Sequence, residues 1–114
     1  MTEIYAQGDI LLETVDDRDP SGSIVPRRLD GAVVIAEGEL TGHRHIIYDR
    51  VTMFRDDGLA HGVPPELYVG HIRVEDNTAL LRHQEHAPIA LPRGTYRVRR
   101  QRELEPRDAR VVAD

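Results

Sequence analysis

Glu66-Leu67-Tyr68-Val69-Gly70-His71-Ile72-Arg73-Val74 alternates with the two-residue period of a β-strand, and its reading sets that of the whole chain. Leu67, Val69, His71 and Arg73 share one face, with Tyr68, Gly70, Ile72 and Val74 on the other. Working outward, Asn77 and its neighbours mark a turn, and Thr78 to Arg82 is a further short strand. Pro88-Ile89-Ala90-Leu91 leads through Pro92-Arg93-Gly94 into Thr95-Tyr96-Arg97-Val98. On the other side lie the β-prone runs Val51 to Arg55, His43 to Tyr48, Ala32 to Ala36 and Asp9 to Val15, separated by Asp- and Gly-bearing turns. No segment holds a helical period. Seven or eight short strands predict an all-β domain, a small barrel or sandwich.

The composition agrees with one small domain. The 114 residues contain 30 Leu, Ile, Val and Phe, above the level of roughly one-fifth at which disorder becomes the default. A single domain over 1–114 follows, with its ends, 1–6 and 105–114, expected to be loose. The longest apolar run, Ala32 to Ala36, is far short of a membrane span, and Met1-Thr2-Glu3-Ile4-Tyr5 lacks the pattern of a signal peptide. A cytoplasmic protein with no membrane partner is expected. The absence of Cys removes disulfides, thiolate metal sites and cysteine nucleophiles; the absence of Lys removes Schiff-base chemistry. A net charge of −5 disfavours nucleic acid as a partner. What needs explaining is six histidines with no competing thiol.

Gly42-His43-Arg44-His45 is the most informative stretch. Residues two apart on a strand face the same way, so His43 and His45 present two imidazoles together. Imidazole is a ligand for zinc, iron, nickel, copper and manganese, and two make half a site. The second half is expected from His83-Gln84-Glu85-His86, where the coming Ala87-Pro88 bends the chain. His43, His45, His83 and His86 are therefore the candidate metal ligands. His71 is either a core-edge histidine or a third ligand, and His61, among Gly and Pro, is expected in solvent.

These residues carry a resemblance to the cupin superfamily of small double-stranded β-helix barrels. Gly38 precedes His43-Arg44-His45, with Asp49 where the family has glutamate, and Pro92-Arg93-Gly94 matches the second motif. Arg97 stands at that motif's histidine and Gln101 at its asparagine, so the resemblance implies that His83 or His86 supplies the remaining ligand. It covers about Ala32 to Gln101 and implies a cupin-like fold. The chain also looks like small bacterial and phage proteins with Gln-Gly-Asp near the start and Glu-His-Ala-Pro-Ile later, a likeness that supplies no function.

Three imidazoles on a divalent ion, zinc first, leave a coordination position open, where water loses a proton near neutral pH. That predicts hydratase or hydrolase chemistry of the carbonic anhydrase kind on a small-molecule substrate. If Asp49 or Glu85 joins the sphere, iron, manganese or nickel and oxygenase or isomerase chemistry follow; outside it, either carboxylate orients an imidazole or acts as general base. Arg97 is the candidate for gripping an anionic substrate, against the simpler reading of a solvated arginine. The different class is a protein-interaction or nucleic-acid module, bacterial or phage-related, using Arg97-Val98-Arg99-Arg100-Gln101-Arg102. With one Phe, four Tyr and no Trp, few large side chains are available for the core, so a homo-oligomer is expected.

Overall fold

A computed structural model describes residues 2–15, 22–38, 42–56 and 62–101. In chain order the strands are β1 Ile4–Gln7, β2 Ile10–Thr14, β3 Ser23–Ile24, β4 Val33–Glu37, β5 Arg44–Ile47, β6 Val51–Arg55, β7 Tyr68–Leu81 and β8 Ile89–Arg100. The described residues contain no helix, so the all-β expectation holds. Six strands form an antiparallel sheet in the order β1-β2-β8-β7-β6-β3, and β4 and β5 form a second, two-stranded one.

The barrel expected from the sequence does not close. Among the described residues one backbone bridge links the small sheet to the large one, in which Ile46 and Arg82 exchange both backbone hydrogen bonds at 2.9 Å. Among the described residues β4 pairs only with β5, so its other edge faces an open seam. Between the sheets lies one core. Ile10 and Leu12 from β2, Ile72 and Leu81 from β7, and Leu91, Tyr96 and Val98 from β8 meet Val33, Ile35 and Ile47 from the small sheet, all at most 2% exposed. Burying such a side chain contributes roughly 1.5–3 kcal/mol. Tyr96 also meets Tyr5 edge to face, at 5.9 Å between centroids. Tyr96 is thus a core residue with its phenol pushed to higher pKa by burial, whereas Tyr48 is exposed.

Four local expectations change. The alternation of β7 does not separate core from solvent cleanly, because the register with β8 shifts between Tyr68 and Gly70. A bulge there re-aims the strand, and Val69 joins Ile72 and Val74 in the core. The turn expected at Asn77 is a second bulge, between Val74 and Thr78, inside one continuous strand. Opposite it, Pro92-Arg93-Gly94 lies within β8 and not in a connecting turn; bulges are where a strand tolerates Pro and Gly. Within 1–6, expected to be loose, Ile4 to Ala6 belong to β1, held in register by Ile4↔Glu13 through Gln7↔Ile10. The other expected loose end, 105–114, lies outside the described residues.

Candidate functional site

The β1–β2 hairpin turns through Gly8 and Asp9, which connect the paired residues Gln7 and Ile10. Gly8 has φ of 59°, while Asp9 keeps a negative φ, the pattern of a type II′ hairpin with glycine first. This turn is one wall of a cleft of about 260 Å³. His43 and His45, at the start of β5, form the second wall; His83, Glu85 and His86, between β7 and β8, form the third. The four histidines proposed from the sequence therefore stand together. His83 is central, with ring centroids 5.5 Å from His43, 4.4 Å from His45 and 4.8 Å from His86.

His45 is the fixed member. It alternates with Ile47 on the inward face of β5 and is 3% exposed. Fully buried Gln7 donates from its amide nitrogen to Leu81 O and Ala87 O, both at 3.0 Å. Those two bonds fix which end of the amide is oxygen, so Gln7 Oε1 accepts from His45 Nδ1 at 2.9 Å. The neutral ring then carries its proton on Nδ1 and a lone pair on Nε2. Nε2 stands 3.3 Å from Asp9 Oδ1. Burial, then the neighbouring His83, pushes the His45 pKa down to about 4, with Asp9 only partly opposing them, so at neutral pH two electron-rich atoms face each other.

The other three rings are placed differently. His43 Nδ1 is 2.7 Å from Glu85 Oε1, so in the neutral ring the Nδ1–H donates to the carboxylate, which orients the imidazole. His83 Nδ1 accepts the Glu85 backbone N–H at 3.0 Å, which holds the proton of the neutral ring on Nε2. Burial, His86 and His43 lower the His83 pKa. His86 is exposed, yet its ring faces the space above Gly8. A Cβ built on Gly8 would stand 3.0 Å from His86 Nε2 and 3.3 Å from His45 Cε1. Gly8→Ala should therefore fill the cleft as well as strain the turn. We expect a loss of about 1–2 kcal/mol in denaturant unfolding, with shifted NMR signals for both rings.

Other candidates from the sequence lie elsewhere. Asp49 caps backbone, with Oδ2 accepting from Leu80 N–H at 2.7 Å, and it does not line the cleft. Arg97 pairs with Glu13 at 3.1 Å on the large sheet, also outside the cleft. His71 is fully buried and meets the Tyr68 hydroxyl at 2.7 Å; it is a core histidine, away from the other four. His61 lies outside the described residues. The residues that sequence reasoning missed are Gln7, Gly8 and Asp9. Arg100 holds Asp9 from behind, with Nη1 donating to Oδ2 at 2.7 Å, and Nη2 donates to Glu37 O at 3.0 Å.

A family model described as a domain of unknown function, DUF8820, matches residues 6–101. The chain belongs to that family. The matched span of DUF8820 contains every residue lining the cleft, from Gly8 to His86, together with Gln7 and Arg100. Comparison with curated proteins and with solved structures finds no match. Among the described residues, no three His, Asp or Glu side chains already surround one point as metal ligands do. No helix of the described residues is long and apolar enough to cross a membrane.

Proposed function

We propose that the histidine cleft binds a divalent cation, zinc first, and that the protein is a metal-dependent lyase or hydrolase acting on a small molecule. The observation that carries this reading is the pairing of His45 Nε2 with Asp9 Oδ1. Gln7 directs a lone pair at a carboxylate 3.3 Å away, in a ring too hard to protonate to serve as its own cation at neutral pH. Tetrahedral bonds of about 2.1 Å set neighbouring ligand atoms roughly 3.4 Å apart, so the separation suits a shared metal. His43, with Glu85 behind it, and His86 are the natural further donors. His86 is exposed, and rotation of its side chain completes a set that the present side-chain positions leave open. His83, whose Nδ1 is engaged by backbone, borders the metal and offers an Nε2 proton instead. Iron, manganese and nickel also accept such a mixed set of imidazole and carboxylate donors.

A cation held there supplies Lewis acidity to a substrate oxygen or to water. Around it Gln7 holds the His45 tautomer, Glu85 orients His43, and Arg100 keeps Asp9 in place. Glu85 is exposed, within reach of solvent, and is the group we assign to moving protons at the cleft mouth. The cupin kinship belongs to the same proposal, carried by His43-Arg44-His45; Arg97, at the motif's second histidine, is tied to Glu13 instead. So do the cytoplasmic setting and the homo-oligomer, the latter checked by light scattering. Arg97 and Arg100 direct guanidinium hydrogen bonds to groups within the chain, which argues against a nucleic-acid or protein-interaction module built on that strand.

The test is elemental analysis and zinc calorimetry on the purified protein with His43→Ala and His86→Ala. We expect one zinc per chain and a clear loss in both variants; unchanged metal content in both would remove the site. Gln7→Met probes the outer partner. It should weaken zinc binding by about 10–100-fold through loss of the fixed tautomer, a drop readable in the same titration.

A further inference from the structure

A larger cavity, of about 430 Å³, opens along the unpaired edge of β4, where the barrel fails to close. Its volume is in the range of small-molecule sites. Val25, Val34 and Val69 give it apolar walls, and Arg28, Arg55 and Arg100 bring three guanidinium groups to the same space. Among these groups Arg28 pairs with Glu37 at 2.9 Å, and Arg100 pairs with Asp9 at 2.7 Å. Arg55 donates from Nη1 to the carbonyl of Val69 at 2.9 Å, a neutral partner. Three positive groups set against two carboxylates leave a single net positive charge, in a protein whose formal charge is −5. Each guanidinium has five N–H donors, so donors remain for a ligand.

The two cavities share a wall. Glu37 lines the seam and Gly38 the histidine cleft; Arg100 reaches from the seam to Asp9 Oδ2, behind the oxygen that faces His45.

We infer that the seam binds a small organic monoanion, a carboxylate with a short apolar body, and that this is the substrate class presented to the histidine cleft. The second half of that statement rests on the proposed metal chemistry. A monoanion satisfies the one unbalanced charge, the valines cover its carbon chain, and Arg100 senses it next to a metal-facing carboxylate. A dianion such as phosphate would exceed the available charge and leave the apolar walls uncovered.

The experiment uses the full chain, titrated with hexanoate, butyrate and inorganic phosphate by heteronuclear NMR, first in EDTA and then with zinc. Saturable hexanoate binding in EDTA is expected, tighter than that of butyrate or phosphate. Binding should weaken about tenfold in Arg55→Gln and at least as much in Val34→Glu, which puts a carboxylate into the seam, while zinc affinity in Arg55→Gln stays as in the wild type. Saturating hexanoate should change wild-type zinc affinity at least twofold. No hexanoate binding, binding as tight as wild type in both variants, or tighter binding of phosphate overturns the seam site. A zinc affinity indifferent to hexanoate overturns the substrate assignment. Absence of zinc binding with hexanoate still bound overturns the metal reading and leaves the seam site standing.

Discussion

Replacing His45 with glutamine should lower zinc affinity by more than 100-fold, the largest effect of any single change in the cleft. Loss of an outer partner of a metal ligand already costs about 10–100-fold, and His45 is the proposed ligand whose geometry is fixed in advance. Its ring is buried on the inward face of β5, its tautomer is set by Gln7, and its free nitrogen faces Asp9. Glutamine keeps a hydrogen-bonding group near Gln7 but presents no imidazole to the cleft. His71→Gln is the matching control, because His71 is equally buried and contacts Tyr68 away from the cleft. Calorimetry should show zinc binding nearly lost in the first variant and kept in the second. Equal affinities in the two would contradict the role given to His45.

In metal-free protein, acid should destabilise the fold between pH 6.5 and about 4. Burial and His83 depress the His45 pKa to about 4, while the unfolded chain titrates near 6.5. Above pH 6.5 both states hold a neutral ring, and the group contributes no pH dependence. As pH falls below 6.5 the unfolded state gains a proton that the folded ring refuses, so stability falls; below about 4 both are protonated and the loss levels off. The full loss is on the order of 3 kcal/mol. The His83 pKa, lowered by burial and by His86 and His43, adds in the same direction. Urea midpoints recorded in EDTA should fall across this window, and the fall should shrink in His45→Gln. A flat profile would mean that the buried ring is not neutral.

The histidine cluster was legible in the sequence because it depends on local spacing. His43 and His45 are two apart on one strand, and His86 precedes a proline that bends the chain. The all-β class followed from the same period. Gln7 and Asp9 were not legible, because they act on His45 across 38 and 36 residues, and only the pairing of β2 with β8 brings the first hairpin to the cleft. Closure of the barrel was unreadable for a related reason. The seam depends on β4 having, among the described residues, a neighbour on one side only, which no alternation within β4 announces. Asp49 was a candidate because the cupin resemblance puts it where the family has glutamate, but its carboxylate accepts from the Leu80 backbone N–H, outside the cleft. Arg97 looked like a substrate clamp because Glu13, 84 residues away, could not be placed beside it.

The most direct test of the proposed metal site is long-range proton–nitrogen NMR of the histidine rings during a zinc titration. Before zinc, His45 should show its proton on Nδ1 and His83 on Nε2. With one equivalent of zinc, the Nε2 signals of His43 and His45 and one ring nitrogen of His86 should move to the metal-bound position, while His71 stays unchanged. If none of the three moves, or if His45 carries its proton on Nε2 before zinc is added, the cleft is not the metal site described above.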